Sequence, residues 1–351
     1  MNKCLPLLLL CSLFNAPALA QTDLQKALSA FDAGDYANAL GQFSALAEQG
    51  HAIAQFNLAL MHLRGLGTVE DAQRALLLYR QAALQGVPEA AYYVGMMYDT
   101  AMGVEQDVGE AFYWYQQAAE QGHAPAQYAL GTLYYYGQAV PVDYRQAVIW
   151  YEFAARQGHA DAQYNLGVMY ASGTGVEADL TQAFELFSQA AESGSLDAQY
   201  NLGSMYLSGQ GVAEDPVLAM QWFMSAAEGG LAAARTSVGM LHAAGKGTPQ
   251  DYVQARRWFE GAAQQGDGVS QTLLGNFFVN GLGVDPDPVE AYMWYSIAAT
   301  GGHPSAAQLV SNLAAELSPA EIERGDLMAR QWFEEFPLND ASQHVPGGTP
   351  P

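Results

Sequence analysis

Four of the seven histidines in this 351-residue chain share one register: His51, His123, His159 and His303 each follow a glycine, and those glycines lie multiples of 36 residues apart. Imidazoles brought to one edge in this way offer metal ligation or a charge change near neutral pH. A metal site needs three or more converging ligands. A second ladder is acidic, with Asp71, Asp107, Asp143, Asp179, Asp215, Asp251 and Asp287 spaced 36 apart. Carboxylates can bind cations. An aspartate just ahead of a helical segment instead accepts from backbone N–H groups that have no other partner, which accounts for the spacing without an ion. Eleven of the twenty tyrosines fall between Tyr92 and Tyr151. Phenol rings offer contact area and an orienting hydroxyl, the chemistry of recognition rather than of turnover. No His-Glu-x-x-His or Gly-x-Ser-x-Gly pattern supplies a hydrolase centre.

These residues are positioned by a repeat. Gly50, Gly86, Gly122, Gly158, Gly194, Gly230, Gly266 and Gly302 each stand 36 residues after the last without insertion or deletion, and a fixed period of this length is the signature of a stacked array. In the unit from His123 to Gly158, Ala126, Leu130, Leu133 and Tyr134 fall at helical intervals and predict a first helix. Gly131, recurring as Gly95, Gly167, Gly203, Gly239 and Gly275, removes a side chain so that a second helix can approach. Glycine pairs such as Gly173 and Gly175, or Gly281 and Gly283, close the first helix. With no strand before them and no P-loop lysine after them, they are not phosphate loops. The ladder aspartate then caps the second helix, and Glu110, Gln146, Gln182, Gln254 and Glu290 three residues on predict a reciprocal capping box. Pro216 and Pro288 stand at the first helical position, where proline is tolerated. Along that helix, pairs such as Trp114-Tyr115, Trp150-Tyr151 and Trp222-Phe223 are followed by paired alanines, so large and small residues interlock. The expected fold is all-α, an α/α superhelical solenoid of 36-residue helix-turn-helix repeats.

Residues 1–20 read as a signal peptide: Lys3, an apolar run from Leu5 to Phe14, and Ala18-Leu19-Ala20 as a cleavage site. The expected localisation is periplasmic or secreted after cleavage near Ala20. Both cysteines, Cys4 and Cys11, lie inside that segment, so the mature chain is expected to carry no disulfide. No later stretch is long and apolar enough for a mature membrane span. With 36 acidic against 13 basic residues the net charge is −23, which repels phosphate backbones and anionic lipid and makes nucleic acid a poor partner.

The run A-Q-Y-N-L-G-x-M-Y-x-S-G-x-G-V-x-x-D, read from Ala162 to Asp179 and again from Ala198 to Asp215, resembles the Sel-1-like repeat family, a 36-residue relative of tetratricopeptide repeats. The resemblance implies seven such repeats over residues 51–302. A divergent tetratricopeptide-like unit over 21–50 precedes them; it keeps Asp35, Ala39 and Phe43 but has a short first helix. Capping helices over 303–336 follow, the last opened by a capping box at Ser318-Pro319-x-Glu321, and then a disordered tail over 337–351.

In tetratricopeptide relatives the first helix lines a concave groove, and a helical wheel places the third, sixth, tenth, thirteenth and fourteenth residues after each glycine off the core stripe. At the sixth stand Phe56, Tyr92, Tyr128, Tyr164 and Tyr200, an aromatic that reads first as packing between neighbouring helices and second as a ligand contact. Tyr93, Tyr135 and Tyr136 are additional to the pattern. Asn165 and Asn201 follow the sixth-position tyrosines, where tetratricopeptide relatives use asparagine to hydrogen-bond a bound peptide. Partner-binding residues are therefore expected at Tyr92, Tyr93, Tyr128, Tyr135, Tyr136, Tyr164, Asn165, Tyr200 and Asn201, with Glu89 and Asp99 favouring a basic partner segment. Some relatives are described as binding or hydrolysing β-lactams. A Ser-x-x-Lys motif would need serine three residues before Lys26 or Lys246, and Asp23 and Ala243 stand there. The expected function is a non-enzymatic protein- or peptide-binding scaffold of the cell envelope, with no cofactor and no metal. The alternatives are an envelope enzyme or β-lactam- or cell-wall-binding protein, and a secreted host-interaction factor.

Overall fold

The computed structural model describes residues 18–337, all helix and turn. The expected signal segment, apart from its last three residues, and the tail from residue 338 lie outside the described residues. The chain divides into two compact units, one ending at Ala162 and the other starting at Gln163.

In the first unit the helices are α1 (Ala18–Asp32), α2 (Tyr36–Glu48), α3 (Ala52–Arg64), α4 (Ala72–Ala83), α5 (Pro88–Asp99), α6 (Val108–Glu120), α7 (Ala124–Tyr136) and α8 (Tyr144–Arg156). After α9 (Ala160–Ser172), the second unit continues through α10 (Leu180–Glu192), α11 (Leu196–Ser208), α12 (Pro216–Glu228), α13 (Ala232–Ala244), α14 (Tyr252–Ala263), α15 (Gly268–Asn280), α16 (Pro288–Thr300), α17 (Ala306–Ala314) and α18 (Pro319–Glu335). Within each unit a first helix packs on its own second helix, which packs on the next first helix. This is the helix-turn-helix solenoid that the period predicts. The opening helix α1 runs 15 residues, the first three of them from the expected signal segment.

The close approach inside a repeat depends on a missing side chain. A Cβ at Gly203 would stand 2.7 Å from the ring of Phe223, and one at Gly131 would stand 2.7 Å from that of Tyr151. Opposite these glycines the second-helix aromatics Tyr115, Tyr151, Phe187, Phe223 and Phe259 are buried, and the alanines four residues after each ladder aspartate, from Ala75 to Ala291, are fully so. The buried glutamine of the A-Q motif ties repeats together. Gln127 Nε2 donates to Ala119 O at 3.1 Å, while its Oε1 accepts from Gln157 Nε2 at 2.7 Å.

Each ladder aspartate caps a second helix; Asp179 accepts from the N–H groups of Thr181 and Gln182 at 2.9 and 3.0 Å. The reciprocal half of the expected box is not made in those repeats that show where the side chain goes. Glu110 accepts from Trp114 Nε1 at 3.0 Å, and Gln182 turns to Glu185. An indole donor one turn on and a neighbouring carboxylate compete for these side chains. The full box is present at Ser318 and Glu321, where it opens α18.

Candidate interaction surface

Two of the four register histidines serve the backbone. His123 Nδ1 accepts from the N–H of Ala126 at 3.2 Å and His159 Nδ1 from that of Ala162 at 3.3 Å, so both rings are neutral N-caps. Each also covers the sixth-position tyrosine of the preceding repeat: ring centroids are 4.9 Å apart for Tyr92 and His123 and 4.7 Å for Tyr128 and His159. Burial pushes the His123 imidazole down to about 4 and lowers that of His159.

The sixth-position tyrosines are half-buried packing residues. Tyr92 lies 5.7 Å from Tyr115, Tyr128 5.7 Å from Tyr151, Tyr164 5.8 Å from Phe187 and Tyr200 5.4 Å from Phe223. Tyr93, one residue on, stacks on the buried Tyr79 at 4.9 Å with 6° between the planes. Asn165 is 3% exposed, whereas Asn201 is only half-buried. Desolvation raises the Tyr164 hydroxyl, the charge of Asp197 raises it further, and a hydrogen bond with the Asn201 side chain acts the other way.

Open surface lies on the first helices of both units. In the first unit Tyr135 and Tyr136, thirteenth and fourteenth after their glycine, meet edge to face at 5.1 Å, and Tyr135 meets Tyr144 from the start of α8 at 5.2 Å. Tyr136 and Tyr144 are 39% and 41% exposed, so the three rings form a cluster on the surface. Tyr144 was not among the sequence candidates. Its position directly after the cap Asp143, across the turn from Tyr136, was the available signal. Asp99, at the register of Tyr135, accepts from Tyr115 OH at 3.4 Å, and its charge, after burial, raises that hydroxyl.

In the second unit a cleft of about 360 Å³ opens between α9 and α11. Its apolar floor includes Leu180, Phe187 and Met205, and its polar rim includes Asn201, Ser204 and Ser208. None of its ten lining residues is charged. Val168 and Ser204 at the tenth position and Ser172 and Ser208 at the fourteenth line it, whereas Tyr164 and Tyr200 do not. Among the described residues no three potential metal-ligating side chains converge, and no helix is long and apolar enough to cross a membrane.

Helix pairs stacked on a 36-residue period, with the variable residues on the open face of the first helix, define a helical repeat scaffold. The chain belongs to the Sel1 repeat family, which it matches over residues 52–87, 88–123, 124–159, 160–195, 196–231, 232–267 and 268–303. It is similar to c5321, a protective antigen present in uropathogenic Escherichia coli strains that displays an SLR fold, at 31% identity and a TM-score of 0.78. That likeness covers 86% of this chain and 65% of the antigen, so the chain spans just under two thirds of the antigen's length. A Sel1 repeat protein from Oxalobacter formigenes is similar at 29% identity and a TM-score of 0.62, over 70% of this chain and 96% of that one. No curated protein matches the chain at a significant level.

Proposed function

We propose that this protein is a non-enzymatic scaffold of the cell envelope that holds an extended peptide or a partner protein's surface on the exposed faces of its first helices. The observation that carries this reading is the cluster of Tyr135, Tyr136 and Tyr144. These rings stand at the surface, at a register that in the other unit lines an open cleft, and the core is complete without them. Tyrosine provides contact area at low side-chain entropy, and binding energy concentrates in a few such residues. Asp99 in the same register, and Glu89 at the start of α5, favour a basic partner segment. Salt should weaken that preference.

The signal-like start supports a periplasmic or secreted location. The test is crosslinked capture of partners from the native envelope at low and high salt, together with incubation of the purified chain with muropeptides and a chromogenic β-lactam. Salt-sensitive capture without turnover supports the scaffold reading, and turnover would replace it with the enzymatic one. The likeness to a protective antigen favours a second reading, a secreted factor that engages a host surface. Recovery of the protein from the culture medium rather than the periplasm would select it.

A further inference from the structure

The second helices carry a ladder of their own. Leu77, Tyr113 and Ile149 stand 27 residues after Gly50, Gly86 and Gly122, on α4, α6 and α8, and are 55%, 50% and 42% exposed. Phe153, one turn beyond Ile149, is 44% exposed and meets Trp150 at 5.7 Å. The matching residues of the next three repeats, Glu185, Gln221 and Arg257, are polar and exposed. Single exposed apolar residues need no explanation, but a register-matched run over three repeats of one unit is a surface with a purpose.

The charge around this run departs from the rest of a chain at −23. Arg74 and Arg80 on α4 and Arg145 and Arg156 on α8 are exposed. Of the acids on these three helices, Glu110 is engaged by Trp114 Nε1 and Glu152 is bridged to Arg156 at 3.0 Å, which leaves Glu120 against Arg74, Arg80 and Arg145, while the carboxylates of Asp71, Asp107 and Asp143 are turned to backbone N–H groups at the helix starts. Arg80 reaches over the Trp114 ring at 6.0 Å. The face is apolar with arginine flanks, the complement of an apolar seam with acidic flanks.

The chain itself shows what can cover this position. Met293 on α16 has the same register, 27 after Gly266, and is only 5% exposed, in a cluster that includes Ile322, Met328, Trp332 and Phe333 of α18. Tyr292 OH donates to Asp326 Oδ1 at 3.2 Å, and Trp332 meets Trp294 at 6.0 Å. Gly325 allows the approach, since a Cβ there would stand 2.6 Å from the Tyr292 ring. The covering element is an amphipathic helix that also carries Glu321, Glu323, Asp326, Glu334 and Glu335. We propose that Leu77, Tyr113, Ile149 and Phe153 form a second docking surface, distinct from the first-helix face, for an acidic amphipathic helix of a partner protein.

The test uses the full chain and a fluorescein-labelled, hydrocarbon-stapled peptide with the sequence of residues 318–336, whose chemistry is that of the inferred ligand. Saturable binding is expected, weakened at least tenfold by Tyr113→Glu with Ile149→Glu and unchanged by Tyr135→Ser with Tyr136→Ser. Should the glutamate pair fail to fold, Leu77→Gln with Ile149→Gln asks the same question with less disturbance, and a thermal melt confirms that each protein is native. Absent binding, or binding indifferent to these substitutions, would overturn the proposal. Vesicles containing phosphatidylglycerol serve as the second probe; capture by them in preference to the peptide, lost in the same variants, would overturn it in favour of a membrane surface.

Discussion

His159 lies over Tyr128 with ring centroids 4.7 Å apart and 19° between the planes, while its Nδ1 accepts from the N–H of Ala162. One imidazole thus closes a helix start and seals the seam to the previous repeat. His123 and Tyr92 repeat the relationship. Where the tyrosine is replaced by Thr236, the histidine position holds Asp267, and the two bond at 3.0 Å, a hydrogen bond in place of ring stacking.

Both capping nitrogens must be unprotonated, which fixes the sign of an acid effect. Burial holds His123 at about 4, below its ordinary 6.5, so the unfolded chain takes up a proton between these values that the folded chain refuses. The contribution of these caps to stability is therefore constant above pH 6.5 and falls as the pH drops toward 4, by on the order of 3 kcal/mol for His123. His159 adds to the loss in the same direction. Thermal melts across this range should show a shallower decline for His123→Asn, whose side chain caps without titrating.

Two turns carry alanine in left-handed backbone, Ala101 at φ 58° and Ala139 at φ 64°, where other repeats place glycine, as at Gly209 with φ 67° and Gly211 with φ 72°. A Cβ in this region costs ~1–2 kcal/mol, and the entropy that glycine gains on unfolding offsets about half of that. Ala139→Gly should accordingly raise stability by roughly 0.5–1 kcal/mol in denaturant melts. A decrease would show that the turn is held by contacts rather than limited by strain.

The converse change belongs inside the repeat. Gly203→Ala drives a Cβ to 2.7 Å from Phe223, and overpacking of this kind costs ~1–3 kcal/mol. Pairing it with Phe223→Leu should recover part of the loss. Additive destabilisation by the two changes would mean that the contact does not limit the approach of α11 and α12.

The fold was legible because the repeats restate the same constraints: an aspartate cap, a turn glycine and, in six of the seven, a contact glycine facing an aromatic. Seven copies of the pattern average out local ambiguity. The surface was less legible. Tyr92 and Tyr128 read as seam residues before ligand contacts, and the placement of His123 and His159 over them shows the packing they do. Gln127 gives no sign in sequence that its amide bridges a carbonyl and a second glutamine, because polar residues on a helix normally face solvent. Tyr144 joins Tyr135 across a turn, and a helical wheel of one helix cannot show that.

The central claim, recognition through the first-helix face, is tested most directly by measuring partner capture with Tyr135→Ser and Tyr136→Ser together. Tyr136 is 39% exposed and Tyr135 packs mainly on the other two rings of its cluster, so the variant should melt within a few degrees of the parent. The account predicts native folding with capture reduced at least tenfold. Native folding with undiminished capture of every partner would contradict it.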